Sequence, residues 1–252
     1  MKGNAWFFKM MNRHISAQEK KIVEFTTMLS ENRILIPSFQ REFVWDKDSI
    51  IKLWESIYRF YPIGSILCWE TDICLNIHRK VGGFILGNNK VASGKSNKRV
   101  YILDGQQRST ALMMPLWEQE GKLGARKDFD FTLYFDATNK TFFFANEFNR
   151  RKRNVNPVFL IRLSDMLNHE SQILDRVAHE SQCCPMIEKN VRQLAHVFSN
   201  YNLSFIHIRG FDIPAVREIF ECINQEGKAL SSMDVMIART FQNYDYLVEE
   251  DF

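Results

Sequence analysis

The segment Arg99-Val100-Tyr101-Ile102-Leu103-Asp104-Gly105-Gln106-Gln107-Arg108-Ser109-Thr110-Ala111-Leu112 decides the interpretation of this chain. Its first residues form a β-branched and aliphatic run, which predicts a buried strand. A polar turn around Gly105 follows, and then a stretch that is compatible with a helix. Backbone N–H groups at a helix start, a glycine that allows close approach and an arginine fork together suit a phosphate or another oxyanion.

The same residues also allow a purely structural interpretation. Gly105 can serve only as a turn residue, and Asp104 and Arg108 can form a local ion pair beside two solvated glutamines, Gln106 and Gln107. Because Gly-x-x-Arg is a short and common pattern, this segment alone does not separate a binding role from a structural one.

The composition is that of an ordinary globular protein. The 252 residues are 45% hydrophobic and 25% charged, and the net charge is +3, so overall charge does not recruit nucleic acid. No apolar run approaches the length of about 18 residues that a membrane span needs, so we expect no membrane partner. Five cysteines without a Cys-x-x-Cys pair, and a start unlike a signal peptide, predict a reduced, cytoplasmic protein.

Hydrophobic periodicity and turn residues predict the elements around the central segment. Helices are expected after a capping box at 16–19, from Asp46 or Asp48 through Tyr58, over 165–180 with Ser164 as the cap, over 186–200 and over 215–223. Strands are expected over 33–36, 65–69 and 202–208, with a hairpin that pairs 129–135 with 141–144. The Gly- and Asn-rich residues 82–98 predict a flexible loop.

Two further segments carry polar groups in unusual settings. In Phe39-Gln40-Arg41, the arginine stands among apolar residues and needs a counter-charge, which either a ligand phosphate or an internal carboxylate would supply. Between 220 and 234, glycine and serine mark a helix end and a helix start, whereas Asn224 has no structural explanation.

The segment Asn149-Arg150-Arg151-Lys152-Arg153 is the one basic cluster of the sequence. It is either a solvated loop or a contact to the phosphates of a nucleic acid or nucleotide. The sequence leaves both interpretations open.

Three segments taken together resemble the DUF262 family, the N-terminal domain of GmrSD-type restriction systems. The motifs are Phe39-Gln40-Arg41-x-x-Val44-Trp45, Asp104-Gly105-Gln106-Gln107-Arg108-x-Thr110-x-Leu112, and Phe220-x3-Asn224-x2-Gly227-x2-Leu230-Ser231-x2-Asp234. The resemblance implies an α+β fold with a ParB/sulfiredoxin-like core: a small mixed sheet with surrounding helices, an inserted β-hairpin and a helical segment. Sulfiredoxin-type members carry a reactive cysteine where this chain has Gln107, so thiol redox chemistry is not expected.

The resemblance also implies roles for individual residues. Arg41 and Arg108 would neutralise charge on a phosphoryl group, and Asp104 would orient water or hold a divalent ion, Mg²⁺ or Mn²⁺. Family members often have tyrosine at the position of Phe39, so a role for that hydroxyl is not carried over. The residues expected to bind the nucleotide and its phosphates are Gln40, Gly105, Gln106, Gln107, Ser109, Thr110 and Asn224.

The function that the resemblance implies is a nucleotide-binding, NTP-hydrolysing module of a restriction or phage-defence system. DNA and a nuclease domain or partner protein are the further partners expected. The alternative is a non-catalytic module that senses DNA or a nucleotide and regulates a separate nuclease, and an inactive fragment is disfavoured by the intact polar set.

The resemblance covers nearly the whole chain and suggests its division. We expect an N-terminal arm over 1–14, one domain over 15–240 and the start of a helical region over 241–252. Many relatives continue into a His-Asn-His nuclease domain, and no such motif is present here. The sequence is therefore expected to be a truncated piece, a minimal member, or one half of a two-chain system.

Overall fold

A computed structural model describes residues 12–41, 43–77, 80–81, 84–85, 98–117 and 130–223. The strands of the described part, in chain order, are β1 (His14–Lys21), β2 (Ser65–Thr71), β3 (Lys80–Val81), β4 (Phe84–Ile85), β5 (Arg99–Asp104), β6 (Leu133–Asp136), β7 (Thr141–Phe144), β8 (Leu160–Arg162) and β9 (Asn202–Arg209). The helices are α1 (Ile22–Ser30), α2 (Lys47–Tyr58), α3 (Gln106–Met113), α4 (Phe148–Arg151), α5 (Leu163–Asn168), α6 (Glu170–Ala178), α7 (Pro185–Asn200) and α8 (Ile213–Ile223).

A four-stranded mixed sheet forms the centre, in the order β1-β9-β2-β5. Strands β9 and β2 are parallel, while β1 pairs antiparallel with β9 and β5 pairs antiparallel with β2. The free side of β5 receives a parallel bridge from Leu35 to Tyr101. The central segment of the sequence is thus a strand near the edge of this sheet, and it ends where α3 begins.

Both faces of the central sheet are covered. On one face the apolar side chains of β2, β5 and β9 pack against α1, α2 and α7, and Phe25 meets Phe205 edge-on with ring centroids 5.1 Å apart. On the other face Trp69 and Tyr101 pack with Val216 of α8. Burying large aromatic side chains on both sides supplies the main stabilisation of the sheet and holds the end of β5 in place.

A second, three-stranded antiparallel sheet has the order β7-β6-β8. The hairpin predicted for 129–135 and 141–144 is confirmed, since β6 pairs with β7 from Leu133–Phe144 to Asp136–Thr141. The buried carboxylate of Asp136 closes the turn by accepting from the backbone N–H groups of Thr138 and Asn139, both at 3.0 Å.

Most other predicted elements are also present. Helix α2 begins after Asp46, whose Oδ1 accepts from Ser49 N at 2.8 Å, as expected of an N-cap. The predicted strands over 65–69 and 202–208 and helices over 186–200 and 215–223 correspond to β2, β9, α7 and α8. Part of the loop predicted over 82–98 is wrong, because Phe84–Ile85 is β4 and pairs with β3, while residues 82–83 and 86–97 lie outside the described residues.

Three local predictions are wrong. Residues 16–19 form no capping box but lie in β1, because eight consecutive residues there pair with β9 and the helix starts only at Ile22. The single helix expected over 165–180 is two helices, because the backbone of His169 leaves the helical region at φ −137°, and Ser164 lies inside α5 rather than at its cap. The strand expected over 33–36 is reduced to the bridge of Leu35.

The described part of the chain is therefore a mixed α and β fold with segregated antiparallel and mixed sheets, consistent with the predicted α+β class. Every helix in the described ranges is too short or too polar to cross a bilayer. The domain boundaries predicted at 15 and 240 stay predictions.

Candidate functional site

The site is centred on the turn between β5 and α3. Gly105 occupies this turn with φ +91°, in the left-handed region that glycine adopts without strain. A Cβ at this position would lie 3.2 Å from Ile66 Cγ1 and 3.4 Å from Arg108 Nη2. Backbone conformation and space therefore both require glycine, and the first N–H groups of α3 stay open to an acceptor in the way that helix starts generally do.

Arg108 reaches back over this turn and is held at two points. Its Nη2 lies 2.9 Å from Asp104 Oδ2, and its Nη1 donates to the backbone carbonyl of Ile63 at 2.9 Å. Gly64, with φ +83°, lies directly against the guanidinium, where a side chain would collide. The side chains of Arg108 and Asp104 keep 21% and 36% of their surface exposed, so this ion pair is open to solvent on one side.

The glutamines of the motif are buried, so the interpretation of Gln106 and Gln107 as solvated side chains is wrong. Gln107 Oε1 accepts from the backbone N–H of Val44 at 2.9 Å, and its Nε2 donates to Gln106 Oε1 at 3.4 Å. Gln40, also buried, donates through Nε2 to the carbonyl of Ile102. These amides tie residues 40–44 to the end of β5 and the start of α3.

Arg41 lies between these two anchors and is exposed. The expectation that its apolar neighbours oblige it to find a counter-charge does not hold for an exposed side chain, and no carboxylate pairs with it in the described part of the chain. Because Gln40 is anchored beside Ile102 and Val44 beside Gln107, the backbone of Arg41 is held next to the Asp104–Gln107 turn. An exposed guanidinium in this position is available to an anion.

Ser109 and Thr110 lie one turn into α3 and are fully buried. Neither hydroxyl oxygen has a hydrogen-bond partner among the residues that the structure describes. Buried hydroxyls without partners are uncommon.

The third segment of the motif set is described only at its start. Phe220, near the end of α8, packs edge-on against Phe39, with ring centroids 5.7 Å apart and an interplanar angle of 89°. This contact brings the beginning of the third segment to the first, which is itself tied to the second. Asn224 lies outside the described residues, as do Gly227, Leu230, Ser231 and Asp234.

The donor set for a metal ion at this site is small. Asp104 supplies one carboxylate, and among the described residues no group of three or more His, Cys, Asp or Glu side chains could hold a metal. Mg²⁺ is commonly held by one or two carboxylates together with substrate phosphates. A single Asp104 therefore fits an ion that arrives with a nucleotide, and it does not fit a resident ion held by protein alone.

The basic segment after β7 is divided between two environments. Arg151 is partly buried: its Nη1 lies 3.3 Å from Asp136 Oδ2, and its guanidinium stacks 4.3 Å from the Phe143 ring centroid. Arg150, Lys152 and Arg153 are exposed. Arg151 thus belongs to the three-stranded sheet, while the other three basic residues point to solvent and lie away from the described contacts of the Gly105 turn.

Two groups at the site carry no sequence signal. The carbonyl of Ile63 and the N–H of Val44 are backbone atoms, and any residue type would supply them. The contact of Gly64 with Arg108 depends on tertiary structure. The approach of α2's C-terminal turn to α3 is what creates this side of the site.

Comparisons with known proteins identify a family and one relative. Residues 25–241 match the family described as the GmrSD restriction endonuclease, N-terminal domain. An uncharacterized protein of Methanocaldococcus jannaschii, MJ0686, is 22% identical over 253 aligned positions, which cover 90% of this chain. The chain spans 42% of the length of that relative.

Proposed function

The chain belongs to the family of GmrSD restriction endonuclease N-terminal domains, and from this membership we propose that it binds a nucleoside triphosphate at the Asp104–Arg108 turn and hydrolyses it as one module of a restriction or phage-defence system. The observation that carries the proposal is the Arg108 fork at the start of α3, held by Asp104 and by the Ile63 carbonyl with one side open. Arginine in such a fixed fork matches the oxygens of a phosphate. We propose further that the central sheet and α3 correspond to the ParB/sulfiredoxin-like core.

The proposed division of labour follows from the contacts. The N–H groups around Gly105 and Gln106 contact phosphate oxygens, and Arg108 and Arg41 neutralise negative charge from two sides. Gln40 and Gln107 are already engaged within the protein, so they position the 40–44 segment in addition to any ligand contact. Ser109, Thr110 and Asn224 complete the set of proposed binding residues.

Asp104 is the residue that would hold Mg²⁺ or Mn²⁺ together with the nucleotide phosphates. The ion would supply charge neutralisation on the phosphate chain. Asp104 Oδ2 lies 2.9 Å from Arg108 Nη2, so a phosphate bound by Arg108 and an ion bound by Asp104 would be neighbours.

Phosphate release from each NTP with Mg²⁺ or Mn²⁺ tests this proposal. We expect wild-type turnover, and we expect Arg108→Ala and Asp104→Ala to abolish it, a loss of roughly 10³-fold or more, as for arginines that stabilise phosphoryl transfer. Met186→Ala, a 62% exposed residue of α7, is the matched surface control and should retain wild-type rates. Equal turnover by all of these proteins would mean that the activity arises elsewhere.

A sensing module is the second candidate, and the exposed basic residues Arg150, Lys152 and Arg153 favour it. Such a protein would bind duplex DNA through phosphate contacts and would regulate a nuclease domain or partner without turnover of its own. A thermal-shift panel separates the two. No stabilisation by any NTP, together with clear binding of duplex DNA, would favour the sensor.

A further inference from the structure

The turn that joins α2 to β2 is built around a backbone conformation unusual for its sequence. Phe60 has φ +59°, in the left-handed region that bulky residues rarely adopt. Its N–H donates to the Ile57 carbonyl and the N–H of Tyr61 donates to the Ser56 carbonyl, both at 2.9 Å. This is the pattern of helix ends that normally carry glycine at the position of Phe60.

Packing of the Phe60 ring holds the unusual turn in place. The ring lies 5.2 Å from the His196 ring and 5.7 Å from the Tyr201 ring, measured between centroids. Tyr201 Oη in turn donates to the Tyr61 carbonyl at 2.7 Å. The N–H and the carbonyl of Tyr61 are therefore both bonded, and its backbone is fixed.

The side chain of Tyr61 is in a contrasting situation. It is 55% exposed, and no hydrogen bond or ring contact holds it among the residues that the structure describes. Two residues further on, the Ile63 carbonyl accepts from Arg108. Because two residues span at most about 7 Å, the Cα of Tyr61 lies within that distance of the Cα of Ile63, whose carbonyl holds Arg108.

We propose that Tyr61 is the stacking surface for a nucleobase whose phosphates are bound at the Gly105–Arg108 turn, an inference that rests on the proposed nucleotide site. The backbone of Tyr61 is already fixed, and a tyrosine side chain rotates about only two bonds. Little conformational entropy is therefore lost when a base stacks on the ring. Every base has a π-face, so this contact adds affinity for nucleotides with little choice among bases. Strained backbone that surrounding packing maintains is typical of functional positions.

Comparing nucleotides with a ligand that has phosphates but no base tests the inference. Dissociation constants of the 252-residue chain are measured for the four NTPs and for inorganic tripolyphosphate. Stacking is worth about 1–3 kcal/mol per base, so Tyr61→Ala should weaken NTP binding about 5- to 150-fold and leave tripolyphosphate binding unchanged. Tyr61→Phe and Met186→Ala should match wild type for both ligands.

Other outcomes would show which part of the inference is wrong, or whether the base belongs to a nucleotide or to a nucleic-acid strand. Unchanged affinity of Tyr61→Ala for both NTPs and a single-stranded oligonucleotide, or an equal loss for NTP and tripolyphosphate, overturns the stacking role while leaving the anion site standing. Wild-type protein that binds neither ligand overturns the nucleotide site and the stacking role together. A loss seen with a single-stranded oligonucleotide but not with NTPs supports stacking and assigns the base to a nucleic-acid strand. Tyr61→Leu, which keeps apolar volume without a ring, should behave like Tyr61→Ala.

Discussion

Two aspartate–arginine pairs in this protein have the same chemistry and opposite surroundings. Asp136 is completely buried, and its carboxylate accepts from two turn amides and from Asn139 Nδ2 at 2.9 Å, besides pairing with Arg151. The Asp104 side chain is 36% exposed, and its one partner in the described part of the chain is Arg108. The first carboxylate is saturated by protein groups, and the second retains capacity for a ligand.

The arginines of the two pairs differ in the same way, since one has many internal partners and the other has few. Arg151 contacts Asp136, Thr141 and Glu147 and stacks on the Phe143 ring, so its donors and its face are used internally. Arg108 has one carboxylate and one backbone carbonyl as partners, and Arg41 has no carboxylate partner among the described residues. The two ion pairs thus consist of the same residue types and differ in the number of internal partners, and the proposed phosphate contact is assigned to the pair with fewer.

Truncating each aspartate should separate the two roles most strongly. Asp136→Ala leaves Arg151 without its buried carboxylate and leaves the turn amides of Thr138 and Asn139 without an acceptor. We expect the free energy of unfolding, measured in urea at pH 7, to fall by about 3–5 kcal/mol.

Asp104→Ala is the matched control for stability. Its partner is partly exposed, so water replaces the lost contact and the free energy of unfolding should change by less than about 1 kcal/mol. The effect of Asp104→Ala should instead be a loss of phosphate release. Similar destabilisation by the two substitutions would show that the Asp104 pair is structural as well.

The local sequence pattern is sufficient to predict an element where residues adjacent in the chain determine its structure. The strand, glycine turn and helix around Gly105 follow from an apolar run, a left-handed position and a helix start that are contiguous in the chain. Helix α2 follows from one apolar face and the Asp46 cap. In contrast, Ser16–Glu19 has the spacing of a capping box, yet cross-strand pairing with β9 outweighs that local preference.

Of the candidate site, only the side chains could be predicted from the sequence, and the backbone groups that they contact could not. Arg108, Asp104 and the glutamines stand out because polar groups next to a buried strand are costly. Whether the glutamines face solvent or brace the 40–44 segment depends on Val44 N and the Ile102 carbonyl, which sequence cannot place. The same holds for Tyr61, because the sequence does not show that the Ile63 carbonyl two residues further on accepts from Arg108.

His207 extends the contrast to a buried polar side chain without partners. Both ring nitrogens are buried with no hydrogen bond in the described part of the chain, and its register neighbours are Ser16 on β1 and Cys68 on β2. Burial, assisted by the charges of Arg209 and Lys20 and opposed by Glu70, lowers the pKa of His207 below its usual 6.5. Burial also raises the pKa of the Cys68 thiol to about 12, so the thiol stays protonated beside it.

The lowered pKa of His207 makes stability depend on pH in a defined window. The unfolded chain binds a proton as pH falls through about 6.5, while folded His207 stays neutral, so stability is complete above that pH and declines below it. The decline attributable to one proton is at most about 1.4 kcal/mol per pH unit. Urea unfolding of His207→Leu between pH 5 and 7 should lack this slope. His14→Asn, which removes an exposed histidine of β1, should keep it, and a slope that survives in His207→Leu would contradict the assignment.

The smallest effects on stability are expected where the basic segment faces solvent. The Arg150 side chain is 75% exposed, so its ion pair with Glu147 at 2.6 Å contributes little, and Arg150→Ala should change the free energy of unfolding by about 0.5 kcal/mol or less. Arg151→Ala should lower the free energy of unfolding by clearly more, because it leaves the buried Asp136 carboxylate without its ion-pair partner.

If the segment binds DNA, Arg150→Ala and Arg153→Ala should each reduce the slope of log affinity against log salt by about 1 in fluorescence anisotropy with a labelled duplex. Unchanged affinity and slope in both variants would show that Arg150 and Arg153 are solvated surface residues that do not bind DNA. An arginine open to an anionic ligand would then be proposed only at the Gly105 turn.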